Sequence, residues 1–220
     1  MTDAPASFRD LTITEFVERL ASSAPVPGGG SASAISGALA AALVRMVVAL
    51  SLDKPKYAAY ERTLRKADEI AARSLDRLLT LADEDAAAYA SLSIALKMPT
   101  TTPKDEAKRR SAIRAAARQA ALAPLKVLHE CFDLLVEAEA IAGRSNLNAR
   151  SDAATAASLA EAGARGAAAN VLINLSSTGD DRFAGETTAD VVDLLEQADD
   201  IATRARFAVA QTDLRDPEEE

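Results

Sequence analysis

Thiol and imidazole chemistry is nearly missing from this chain: of 220 residues one is cysteine, one is histidine and none is tryptophan. A lone thiol, Cys131, cannot close an internal disulfide or build a cysteine zinc cage, since each needs at least two, and a reducing compartment fits. His129 has no second histidine or cysteine to share a metal with, and no G-x-S-x-G elbow accompanies it; its place within a helical stretch reads as surface or core edge. Aromatics are 4% of a chain that is 49% hydrophobic, so the core must be built from Ala, Leu, Val and Ile at close helix spacing. With a net charge of −8 and no basic cluster interleaved with aromatics, a nucleic-acid partner is excluded. Strand-type alternation, solenoid-length repeats and a dividing linker are also missing, which leaves an all-α antiparallel bundle in a single domain, residues 1–212. The acidic segment 213–220 is expected to be a disordered tail. The first eleven residues lack the basic-then-apolar pattern of a signal peptide. The apolar stretch 32–52 tempts a membrane reading, but Arg45 inside it would cost roughly 2.5–3.5 kcal/mol at a bilayer centre. We expect a soluble, cytoplasmic protein with no membrane partner.

Thr12 and Glu15 have capping-box spacing and predict a short amphipathic helix over 13–21. Pro25-Val26-Pro27-Gly28-Gly29-Gly30 is a loop, after which Ser31 is placed to cap an apolar helix to residue 52. From Tyr57 to Leu96, apolar or small side chains recur every three or four residues and include Asp85; about 40 residues at ~1.5 Å each make a helix on the order of 60 Å, which must bend or project against a partner. Thr102-Pro103 starts a second long helix to about residue 142, with Pro124 inside it as a kink. Ser151 is placed to cap a helix to about residue 175. A last helix is expected from Thr187 or Thr188 to Gln211.

Two or more readings stand open at each candidate site. The glycine run lacks the Lys-Ser/Thr ending of a phosphate loop and follows no strand, so it is either a tight turn or a set of bare N–H groups at a helix N-terminus where a carboxylate or oxyanion binds. Asp85, carried on the inward seam, is either an ion pair with a neighbouring helix or a functional acid, while Asp83 and Glu84 fall off the seam and read as solvated. Asn170 and Asn174, one turn apart on a face with Leu159, Gly163 and Gly166, either bond across a close helix contact or point into a pocket for a heteroaromatic ligand. Ser151-Asp152 reads first as a helix start.

Seven segments in order resemble the formiminotetrahydrofolate cyclodeaminase/methenyltetrahydrofolate cyclohydrolase family: Pro25 to Ser31, Asp53-Lys54-Pro55-Lys56-Tyr57, Asp85-Ala86-Ala87-Ala88-Tyr89, Met98-Pro99, Ala123-Pro124-Leu125, Asn146-Leu147-Asn148 with Ser151-Asp152, and Asn170 to Leu175. The resemblance runs over residues 11–212. It implies an all-helical homodimer assembled through long helices, acting on a reduced folate, with or without a polyglutamate tail, and needing no metal or redox cofactor. The expected activity is methenyltetrahydrofolate cyclohydrolase, adding water to give the 10-formyl form. Alternatives are cyclodeaminase, releasing ammonia from the 5-formimino form, and a non-catalytic dimer that binds folate or a protein partner. By the same resemblance Asp85 and Lys56 are catalytic candidates. Gly28, Gly29, Gly30, Ser31, Lys54, Tyr57, Tyr89, Asn148, Ser151, Asp152, Asn170 and Asn174 are substrate-binding candidates. The chain departs from the family pattern at Asp53, which replaces a glycine, and at Pro55, Tyr89, Thr100, Ala121 and Ser145.

Overall fold

A computed structural model of the chain describes residues 7–217. Among these the regular structure is helical, with no strand: α1 (Ile13–Leu20), α2 (Gly29–Ala49), α3 (Glu61–Leu96), α4 (Pro103–Ile141), α5 (Arg150–Leu175) and α6 (Asp181–Ala210), with short 3-10 helices at Phe8–Asp10, Pro55–Tyr60 and Leu147–Ala149. The all-α bundle with two long helices is the fold the sequence led to. α1 carries the expected capping box, Thr12 exchanging hydrogen bonds with Glu15. α4 starts with a second one, Thr102 with Asp105, just ahead of Pro103. Four expected helix starts move. α2 begins at Gly29 with Gly28 as N-cap, placing Ser31 inside the first turn. α5 begins at Arg150 with no side-chain cap, so Ser151 is a helical residue, although Asp152 does sit in the first turn. α6 begins six residues before Thr187, because the Asp180 carboxylate accepts from the Phe183 N–H at 3.0 Å. Residues 55–60 form a separate 3-10 helix opened by Pro55, and the long α-helix starts only at Glu61.

The bundle is laid around α2, which packs on α3, α5 and α4, while α6 closes the far side against α5 and α4. α2 is long and apolar enough to cross a membrane by length and composition, and half of its most apolar window is buried against these neighbours. Small residues let the central helices approach. A Cβ on Gly37 would stand 2.6 Å from Cys131 Sγ, and one on Gly163 would stand 2.8 Å from the same sulfur and 3.0 Å from the Ser33 carbonyl. The fully buried Cys131 fills the gap those glycines leave. Burial pushes its thiol up to about 12, and the neighbouring Glu130 adds to that, so it is an inert packing group.

The inward seam of α3 is fully buried at Leu64, Ala67, Ala71, Ser74, Leu78 and Leu81, then opens: Asp85 is half-buried and Tyr89, Ile94 and Leu96 are exposed. The outer part of α3 therefore projects beyond the bundle, with α4 as its companion. α4 continues through the buried Pro124 without ending.

The tail does not come free at residue 213. The Arg215 N–H donates to the Gly143 carbonyl at 2.8 Å, and its guanidinium reaches Glu139 Oε1 and the Ala142 carbonyl, both at 3.0 Å. Tyr60 Oη donates to the Arg215 carbonyl at 2.7 Å, and Arg144 Nε to that of Asp216 at 2.8 Å. Gly143, with φ of +73°, turns the chain after α4 and presents the carbonyl that Arg215 uses. The expectation of disorder is thus corrected over residues 213–217; residues 218–220 lie outside the described part.

Candidate functional site

The N-terminus of α2 is made of glycines and so has no side-chain cap of its own. Its orphan N–H groups need an acceptor, and the acceptor comes from another helix: the Asp85 carboxylate of α3 takes a hydrogen bond from the Ser31 N–H. Gly30 makes this possible. A Cβ there would overlap the Asp85 carboxyl, standing 2.6 Å from Oδ2. Gly30 is therefore required by the close approach of an acid, whereas a Cβ on Gly29 would stand 3.2 Å from Asn170 Nδ2 and one on Gly28 would meet only ordinary contact.

Asp85 sits in a cavity of about 170 Å³ lined by Pro25, Val26, Gly28, Gly29, Gly30, Asp85, Tyr89, Ala120, Asn170 and Asn174. Among the described residues no lysine, arginine or histidine forms an ion pair with it, whereas its neighbours are committed. Glu84 pairs with Arg77 at 2.8 Å and Lys126 at 3.1 Å, and Asp83 accepts from the Phe8 N–H at 2.9 Å and from the Ser7 hydroxyl. Neither is simply solvated, as the sequence suggested. Burial raises the Asp85 carboxyl above its ordinary value, opposed by the hydrogen bonds from Ser31. The Ser31 hydroxyl lies 3.0 Å from the Ala82 carbonyl and 3.2 Å from Asp85 Oδ2. One hydroxyl proton can serve only one of them. When it goes to Asp85 it holds the carboxylate; when it goes to Ala82, the serine oxygen can accept from a protonated Asp85. Ser31 thus accommodates both protonation states of the acid.

Opposite the glycines stand the two amides of α5. Asn170 Nδ2 donates to the Gly166 carbonyl at 2.8 Å and lies beside Gly29. Asn174 Nδ2 donates to the Asn170 carbonyl at 2.8 Å and to the Ala120 carbonyl of α4 at 3.0 Å. An acid, a helix N-terminus and fixed amides, with Pro25, Val26 and Tyr89 beside them, can hold a cationic, flat heterocycle, move a proton beside it and bind a developing oxyanion.

Not every candidate residue is here. Gly28, Gly29, Gly30, Ser31, Asp85, Tyr89, Asn170 and Asn174 come together; Lys54, Lys56, Tyr57, Asn148, Ser151 and Asp152 do not. Those six gather at the other end of α2, about 30 Å away for 21 helical residues at ~1.5 Å each. There Asn146 ties the two segments, its N–H donating to Ser51 Oγ at 2.8 Å and its Nδ2 to the Leu50 carbonyl at 3.0 Å. Tyr57 Oη reaches Asn146 Oδ1 at the long limit of 3.5 Å. Lys54 bonds the Leu50 carbonyl and lines, with Tyr57, a second cavity of about 220 Å³. The exposed Lys56 ammonium stands 5.6 Å from the centre of the Tyr57 ring, and Asn148 and Ser151 are exposed while Asp152 is half-buried. Within one chain, then, Lys56 is no neighbour of Asp85. Asp53 has φ of +60°, the left-handed conformation that explains why its position favours glycine. His129 is at the surface, 3.2 Å from Asp190 Oδ2. Ala120, missed at the sequence level, contributes through its backbone.

The family described as formiminotransferase-cyclodeaminase matches residues 12–193. Among curated proteins, the methenyltetrahydrofolate cyclohydrolase of Methylorubrum extorquens (strain AM1) is 40% identical over 188 residues, covering 85% of this chain and 90% of its own. The formimidoyltransferase-cyclodeaminase of Rattus norvegicus is 33% identical over 192 residues, 87% of this chain but 36% of that larger protein. Among solved structures, the formiminotetrahydrofolate cyclodeaminase of Thermotoga maritima superimposes with a TM-score of 0.82 at 27% identity, over 92% of this chain and 97% of its own. On the match of sequence and fold over nearly its whole length, the chain belongs to the formiminotransferase-cyclodeaminase family.

Proposed function

We propose that this protein is a methenyltetrahydrofolate cyclohydrolase of folate one-carbon metabolism, working in the cytoplasm without a metal or redox cofactor. The observation that carries the reading is the Asp85 carboxyl, which has no ion-pair partner among the described residues and faces a cavity between a glycine helix N-terminus and two amides. The substrate's bridging carbon, between N5 and N10, is part of a delocalised cation, which an unpaired carboxylate attracts. Water adds to that carbon and gives a proton to Asp85. The acid returns it to N5 as the C–N5 bond breaks, and the hydroxyl proton leaves to solvent as the 10-formyl carbonyl forms. A raised carboxyl serves both halves of this cycle better than an ordinary one.

The cavity is smaller than the roughly 300–1,000 Å³ that encloses a drug-sized ligand, so it takes the pterin end and leaves the rest of the folate outside. We assign the glutamate tail, polyglutamylated or not, to Lys54 and Lys56. In a homodimer these come from the second chain. What supports this is the apolar stripe that α2 leaves uncovered, Leu39, Met46 and Leu50, running between the two groups of candidate residues. Two α2 helices packed antiparallel along that stripe would set one chain's Lys54, Tyr57, Asn148, Ser151 and Asp152 against the other chain's glycine loop.

Cyclodeamination remains the second reading, favoured by the likeness to the Thermotoga enzyme; it uses the same acid to expel ammonia from the formimino group. Mixing the protein with each substrate decides. Loss of the methenyl absorbance, with no ammonia from 5-formiminotetrahydrofolate, is the expected result. Ammonia release would favour the deaminase, and binding without turnover would leave only a folate-binding dimer.

A further inference from the structure

Proline inside a helix has no N–H to give the carbonyl four residues earlier. Pro124 is buried in α4, and the carbonyl it deprives is that of Ala120, itself buried and lining the Asp85 cavity. A buried carbonyl left without a donor is costly, and here the donor is a side chain from another helix: Asn174 Nδ2, at 3.0 Å. The second Nδ2 hydrogen is used by the Asn170 carbonyl at 2.8 Å. Both amide hydrogens are thereby spent on carbonyl oxygens, and rotating the amide by half a turn would set Oδ1 against those same oxygens. The orientation has one solution. It leaves Oδ1, which has no hydrogen-bond partner among the described residues, as an acceptor in a cavity whose other polar walls include glycine backbone, Asp85 and Asn170.

We propose that Pro124 is a positioning residue, which by withholding its N–H from Ala120 locks Asn174 as an acceptor for an N–H donor of the ligand. The ligand class is a flat heterocycle bearing ring or amino N–H groups, as an aminopterin ring does; that part rests on the folate reading above. Gln119, Ala121 and Ala123 nearby have ordinary helical amides and could not play this part. The residue that matters touches no ligand itself.

Two measurements on the full-length protein test this. In the ligand-free state, hydrogen exchange of the Asn174 side-chain amide, assigned by its loss in Asn174→Ala, should be protected and should accelerate about five- to tenfold in Pro124→Ala, where the new N–H competes for Ala120. Unchanged exchange in a folded Pro124→Ala protein would overturn the proposal. With methenyltetrahydrofolate, Pro124→Ala should lower kcat/KM about five- to tenfold, mainly by raising KM, in the native background, and should have no further effect in Asn174→Ala. Equal losses in both backgrounds would mean that Pro124 acts only on the helix. Were the native protein to turn over neither folate, the functional reading would fail while the exchange result would still decide the positioning role. Should Pro124→Ala not fold, the native protein still decides: side-chain hydrogens of Asn174 exchanging at least about tenfold more slowly than those of the exposed Asn148 are expected, and equal exchange would overturn the proposal.

Discussion

Asp85 does two jobs that single substitutions can separate. It caps α2 from another helix, and it carries a carboxyl raised by burial. A folded-state value above the unfolded one means that the native state holds its proton more tightly, so this acid destabilises the fold as pH rises through the interval from the ordinary to the raised value. Asparagine removes the charge but still accepts from the Ser31 N–H. Asp85→Asn should therefore raise Tm at neutral pH, by about 2–4 °C if ~1 kcal/mol is recovered, and the gain should vanish below the ordinary carboxylate range. Asp85→Ala loses the cap as well and should lower Tm, typical caps being worth ~1 kcal/mol. Thermal melts of the three proteins across pH check both. Gly30→Ala tests the approach from the other side: its Cβ must displace the carboxylate, and kcat should fall by about 100-fold or more with the fold intact. A near-native kcat for that variant would show that the acid has room to spare.

Helices and their caps were largely legible in the chain, because Thr12 with Glu15 and Thr102 with Pro103 are local signals that act locally. The starts of α2 and α5 were not. α2 takes its capping acceptor from Asp85, 54 residues away from Ser31, and no local pattern reports a cap supplied from another helix. α6 starts ahead of the threonines for a different reason: Asp180, after Gly179, is a local cap that competes with them and wins. Of the site, the acid on the seam, the glycines and the amide face could be read from spacing, since each lies on one helix. Ala120 could not be, as it acts through a carbonyl, though Pro124 four residues on is the signal that would have found it. At this scale the central contact is α2 against α4 and α5 across Gly37, Gly163 and Cys131. Gly37→Ala should cost about 1–2 kcal/mol by overpacking, and Cys131→Ala in the same chain should restore much of it by removing the sulfur. Urea denaturation gives both numbers; a double variant no more stable than Gly37→Ala would move the strain elsewhere, to Leu78.

The whole molecule holds two groups of candidate residues at opposite ends of α2, and one chain alone does not unite them. That division was invisible in the sequence, where the segments simply follow one another. The C-terminal strap was equally hidden, since its acidic composition says nothing of Arg215 reaching back to Gly143, Glu139 and Ala142. Truncation after residue 212 should lower Tm by at least about 4 °C, since hydrogen bonds to charged groups are worth ~1.5–3 kcal/mol and a domain this size loses ~2–4 °C per kcal/mol; a native Tm would show the strap to be passive. In the proposed reaction Asp85, which forms no ion pair among the described residues, stands beside the reacting carbon. The most direct test is the rate at which folded Asp85→Asn consumes 5,10-methenyltetrahydrofolate at saturating substrate. A loss of roughly 10²–10⁴-fold relative to the native protein, with the substrate still bound, is the predicted result; turnover within a fewfold of native would contradict it.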